Sequence, residues 1–225
     1  MQTVENYRQA IPAAAAPLEE RMAFLKKVYG LLSISVLMAA GASWMTMQNE
    51  AFLRVVYNNY ILFIVLEFAA IFFAMWARKK ETMGLVALFS FTILTGVTTA
   101  PVLLVYSGST VTQALLLTGL IFAGLSFYTI VSKRDFSFMG GMLTTGLIVL
   151  VVGGLLNMFI FKSSGISFLY SAAGVFLFSG FIIYDTFNIL KRYPTDEYIS
   201  ATLSLYLDIL NLFLMLLHLL GGSRD

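Results

Sequence analysis

Apolar positions in this chain fall in long unbroken blocks, without the period-two or period-3.6 alternation of half-buried elements. Residues 82–132 run 51 positions without a formally charged side chain, 136–161 run 26, and 28–49 run 22. About 20 apolar residues carry a helix across the hydrocarbon of a bilayer, so each block predicts at least one membrane-spanning helix. The longest block must be divided, and Tyr106-Ser107-Gly108-Ser109 is the place, because glycine and serine favour a turn. The predicted spans are 28–48, 55–76, 83–106, 112–132, 137–161, 166–190 and 198–220. The expected fold class is all-α, a polytopic membrane protein of seven transmembrane helices. Residues 1–21 form a polar tail and the start of a surface helix, and 22–225 a single transmembrane domain.

Composition agrees. The chain is 59% hydrophobic and 12% charged, where soluble domains carry roughly 25% charged residues. Zero cysteines exclude disulfides and thiolate sites, and one histidine excludes a multi-histidine metal site. The net charge of +2 reports on loops near anionic lipid, and no nucleic-acid partner is expected. Arg8, Arg21, Lys26, Lys27, Arg78, Lys79, Lys80, Lys133, Arg134, Lys191 and Arg192 fall on one side of the seven-span arrangement, and Arg54, Lys162 and Arg224 on the other. Short loops rich in Lys and Arg stay in the cytoplasm, so the N-terminus is expected to be cytoplasmic and the C-terminus outside. Residues 1–17 lack the basic stretch, apolar core and cleavage site of a signal peptide. Pro17, followed by Glu19 and Glu20, suits a helix start.

Only Glu67, Asp185 and Asp208 place charge inside the spans. Each costs about 2.5–3.5 kcal/mol at mid-membrane on insertion scales, so each is a functional candidate. Asp185 lies about 9 Å from Lys191 along its helix, and Asp208 about 16 Å from Glu197. Similar depth on consecutive antiparallel helices lets the two aspartates meet, share a proton and titrate together. Glu67 and Arg78, eleven residues apart, lie on one helical face, as do Asp185 and Arg192. Asn211, one turn beyond Asp208, is a supporting candidate, whereas His218 reads as an interfacial residue. Pro101 in Thr98-Thr99-Ala100-Pro101 is expected to kink the third span. Gly119, Gly124, Gly140, Gly141, Gly153, Gly154, Gly174 and Gly180 are expected to let helices approach closely. No catalytic set is visible, so no enzyme is expected. Three acids without a buried base suit protons and hard cations, with Asp185, Asp208 and Glu67 as Ca²⁺ contacts.

The run Leu205-Tyr206-Leu207-Asp208-Ile209-Leu210-Asn211-Leu212-Phe213, with Tyr184-Asp185-Thr186, resembles the two signature segments of the Bax inhibitor-1 family, the transmembrane BAX-inhibitor-motif proteins. Leu66-Glu67-Phe68, Arg78-Lys79-Lys80, Gly96 through Pro101, and Lys133-Arg134-Asp135-Phe136-Ser137 are similar too. The resemblance covers residues 22–221 and implies a prokaryotic member with the seventh helix central in the bundle. It implies a pH-sensitive Ca²⁺ leak, with Asp185 and Asp208 as the sensor, Arg78 controlling closure and Glu67 lining the path. Ca²⁺ is then the transported ion, and no cofactor is expected. The lipid bilayer, protons and other membrane proteins are the expected partners, and the plasma membrane (a prokaryotic inner membrane) the location. A proton-coupled Ca²⁺/H⁺ exchanger and a non-transporting regulator of proteases or cell-death and stress responses are the alternatives.

Overall fold

The computed structural model describes residues 11–132, 134–161 and 163–222. Arg8, Lys133, Lys162 and Arg224, used above for topology, lie outside them. The elements are α1 (Leu18–Gln48), α2 (Glu50–Asn58), α3 (Tyr60–Ala77), α4 (Glu81–Leu103), α5 (Gly108–Val131), α6 (Met139–Leu156), a π-helical turn (Asn157–Phe161), α7 (Ser164–Lys191) and α8 (Tyr198–Gly221). All but α2 and the π turn are long and apolar enough to cross a membrane, which gives seven spans. Among the described residues the only β pairing is one isolated bridge, between Pro12 and Pro194.

The helix start expected at Pro17 is present: α1 begins at Leu18, ten residues before the predicted span, with Pro17 as its N-cap and Glu19 and Glu20 in its first turn, and runs straight into the span. The predicted second span is cut at Asn59. Asn49 caps α2 by accepting from the Phe52 N–H at 3.0 Å, and the Asn59 amide folds back to the Val55 carbonyl at 2.8 Å. Competition of this kind between asparagine side chains and the backbone ends helices, so the span starts at Tyr60 and α2 stands apart. Asn49→Ala is expected to cost about 1 kcal/mol of α2 stability, read as faster amide exchange confined to residues 50–58. The turn expected at residues 106–109 is present, between α4 and α5. Ser107 caps α5 by accepting from the Thr110 N–H at 3.2 Å. Pro101 falls in the last turn of α4, since that helix stops at Leu103, and so disturbs few backbone bonds.

The helix α8 packs against α1, α3, α4, α5 and α7, which makes it the central element. Two apolar clusters meet on it. One joins Phe24, Val28 and Leu32 of α1 to Leu88 and Phe91 of α4 and to Ile199 and Leu205 of α8. The other joins Ala114 of α5 and Phe178 and Ile182 of α7 to Leu212 and Leu216 of α8. Gly96 of α4 lies against the backbone of Ala39, where a Cβ would collide, so α1 and α4 cross there at backbone contact. Gly140, Gly154, Gly174 and Gly180 also face close neighbours, whereas a Cβ on Gly119, Gly124, Gly141 or Gly153 would meet open space. The expectation of close approach fails at those four positions, where glycine fills no tight crossing.

Four chain segments gather at one end of the bundle, here called the tail side. Ala13 N–H donates to the Tyr193 carbonyl at 2.9 Å and Thr195 N–H to the Ile11 carbonyl at 3.2 Å. The Thr195 hydroxyl donates to Glu20 at 2.5 Å. Lys27 pairs with Glu81 at 3.8 Å, and Arg78 with Glu197 at 3.9 Å. In the α5–α6 loop, the Ser137 N–H donates to Asp135 at 2.7 Å, and this bond holds the Asp135 carboxyl below its usual range. Asp135 therefore stabilises the loop above the ordinary aspartate pKa, and its contribution fades as pH falls through the lowered value. Phe136 anchors the same loop by packing edge-on to Phe187 of α7 at 6.0 Å.

Candidate ion site at the α7–α8 contact

Asp185 and Asp208 project from α7 and α8 into the contact between those two helices. Their carboxyl groups are close enough for the charge of one to act on the other. Two carboxyls so placed in a buried contact do not both ionise cheaply, so the arrangement suits a pair that shares one proton. Asp208 is buried, 6% exposed, and its Oδ2 has no protein partner. Asp185 is partly buried, and the side chain of Asn188, one turn on, lies near it with its own Oδ1 unpartnered.

A polar track runs from this pair to the tail side. Ser200, Ser204 and Asp208 are spaced by four residues, so they line one side of α8 over about 12 Å. The Ser204 hydroxyl meets that of Tyr193 at 3.1 Å in the α7–α8 loop, while the Ser200 hydroxyl is buried without a partner. Burial, helped by the charges of Asp185, Glu197 and Asp208, raises the Tyr193 hydroxyl above the ordinary tyrosine range and keeps it neutral. Beyond Asp208 the track ends, and buried Leu212, Leu216 and Phe178 fill the space with hydrocarbon. The sequence reading missed Ser200, Ser204, Asn188 and Tyr193. Their signal was the spacing of four on α8 and of three between Asp185 and Asn188.

The other candidates lie elsewhere. Glu67 accepts a hydrogen bond from Thr98, and the neighbouring Thr95 bonds to the hydroxyl of Tyr206. Tyr206 and Asp208 are two residues apart, about 200° around α8, so Glu67 belongs to the opposite side of that helix. Among the described residues no three His, Asp or Glu side chains gather as a metal site, so Asp185, Asp208 and Glu67 do not form one Ca²⁺ cage. Arg78 pairs with Glu197 at the start of α8, and Arg192 lies over the Phe187 ring at 5.9 Å; neither is the ion-pair partner of an aspartate within 4.0 Å among the described residues. The Asn211 amide donates to its own helix at Leu207 O, 2.8 Å away. His218 is exposed near the end of α8.

The chain as a whole is similar to known proteins. Residues 21–225 match the family described as "Inhibitor of apoptosis-promoting Bax1". The chain is 38% identical over 218 residues to Protein lifeguard 4 of Mus musculus, covering 96% of this chain and 90% of that protein. It is 42% identical over 205 residues to a membrane protein of Vibrio cholerae, covering 88% of each. It is 31% identical over 226 residues to Bax inhibitor 1 of Schizosaccharomyces pombe, covering 99% and 85%. With seven apolar helices around a central α8 and a match over nearly its whole length, this chain is a multi-pass membrane protein of the Bax inhibitor-1 family.

Proposed function

We propose that this protein is a pH-sensitive Ca²⁺ leak of a bacterial plasma membrane, with the basic tail side facing the cytoplasm. The observation that carries the reading is the Asp185–Asp208 pair at the blind end of a polar track. Unpartnered oxygens on Asp208, Asn188 and Ser200 supply the hard ligands that a divalent cation replaces its water with. One shared proton holds α7 to α8 and keeps the apolar plug at Leu212 and Leu216 in place. Loss of that proton leaves two like charges in low dielectric, which drives the helices apart and opens the path. Flux therefore rises as pH rises. The protein is a conduit in this reading, with Ca²⁺ as cargo and no resident cofactor.

The test is Ca²⁺ uptake into liposomes holding purified protein, across pH, with and without an imposed proton gradient. A leak follows the Ca²⁺ gradient alone and speeds up with pH. Uptake driven by the proton gradient would make the protein an exchanger, and no uptake at any pH would overturn transport and leave a regulatory role.

The Arg78–Glu197 pair ties the end of α3 to the start of α8. A partly exposed pair contributes at most about 1 kcal/mol, so Arg78→Gln is expected to raise resting flux by no more than about fivefold. Glu197→Gln should do the same, and the double variant should add nothing further. Additive effects would show that Arg78 acts through another partner.

A further inference from the structure

We propose that the half of the bundle remote from the tail side binds one acyl chain of a membrane phospholipid, in a cavity between α1, α4, α5 and α8. On the tail side α1 and α5 touch, with Tyr29 and Phe122 rings 6.4 Å apart. Toward the other side a cavity of about 250 Å³ opens between them. Its lining runs from Val36 to Met47 along α1. The eleven steps between them rise about 16 Å, close to half of the ~30 Å hydrocarbon core, which is the depth of one leaflet.

The mouth faces lipid: Leu115 lines the cavity and is 52% exposed, and Ala40 beside it is exposed too. The polar groups inside decide what enters, and in which direction. At the deep end Thr95 and Tyr206 satisfy each other, so no donor or acceptor there awaits a headgroup, and Thr99, further along α4, donates to its own helix at 2.6 Å. Nearer the membrane surface, Ser43 is 4% exposed, lines the cavity, and its hydroxyl has no partner. It lies five residues, about 8 Å, from the end of α1 at Gln48. A bound water needs two to four polar partners, and Ser43 offers one. An ester-linked chain fits each feature: the hydrocarbon fills the apolar depth, the ester carbonyl accepts from Ser43, and the headgroup stays at the interface.

The experiment is photolabelling of the full chain in phosphatidylcholine vesicles containing a trace of a phosphatidylcholine with a diazirine in its acyl chain, with adducts mapped by mass spectrometry. Adducts are expected to concentrate at Ala40, Ser43 and Leu115, several-fold above Leu37 and Phe127, which are 71% and 69% exposed on the outer surface. Ala40→Phe should abolish that excess without changing labelling at Leu37 or the thermal midpoint. Ser43→Ala preserves the cavity and should reduce the excess by about fivefold, the weight of one ordinary hydrogen bond. Labelling that merely follows exposure, or that ignores Ala40→Phe, would mean ordinary surrounding lipid and overturn the proposal. Displacement of the probe by an equal amount of dodecanoate would assign the cavity to free fatty acids and overturn the phospholipid assignment.

Discussion

Purified Asp208→Asn protein in liposomes is expected to leak Ca²⁺ at a low rate that does not change with pH. Wild-type flux governed by one proton can rise by up to about tenfold per pH unit through the transition. Asparagine keeps the shape of aspartate, can donate its amide to Asp185, and never acquires a charge. The variant should therefore behave at every pH as the closed, shared-proton pair does. Asp185→Asn should do likewise, because either change removes the repulsion between two charges. An intact pH response in Asp208→Asn would remove the pair from the sensing role, whatever its part in conduction. A flat but high flux would show that a charge on Asp208 holds the path shut, the reverse of the mechanism put forward here.

The largest expected effect on stability belongs to a methyl group. Gly96→Ala places a Cβ against the Ala39 backbone of α1. Backbone cannot swing aside as a side chain can, so α1 must shift as a unit. The cost should lie at the upper end of the roughly 1–3 kcal/mol that overpacking brings. Gly119→Ala makes the same chemical change where nothing lies within 4 Å. There the gain in helix propensity should stabilise by up to about 1 kcal/mol. Thermal midpoints in one detergent compare the two directly, and equal midpoints would contradict the crossing seen at Ala39.

Much of this contrast was hidden in the sequence, and the reason is geometric. Burial in lipid makes charge costly, so the spans stand out as uncharged blocks and Glu67, Asp185 and Asp208 as exceptions. Depth follows from a fixed rise per residue, which is why the meeting of Asp185 and Asp208 on consecutive helices was legible. Rotation between helices depends on tertiary packing. Glu67 shares depth with the aspartates but lies across α8 from Asp208, and Arg78 reaches Glu197 where a shared helical face had suggested Glu67. Glycines pose the same difficulty: Gly96 faces a helix and Gly119 open space, with nothing in their neighbours to separate them. The break at Asn59 follows from local chemistry, and the pair Asn58-Asn59 within an apolar run was its readable sign.

The clasp between residues 11–13 and Tyr193–Thr195 bears on the order of assembly. The tail leaves the ribosome before the helices, yet the backbone groups that its Ile11 and Ala13 bond to are synthesised some 180 residues later. Contacts this distant in sequence form late, because the intervening chain must be in place before they repay its ordering. A segment made before the helices is thus among the last to lock, and its closure on the α7–α8 loop marks the moment when α7 and α8 have entered the bundle.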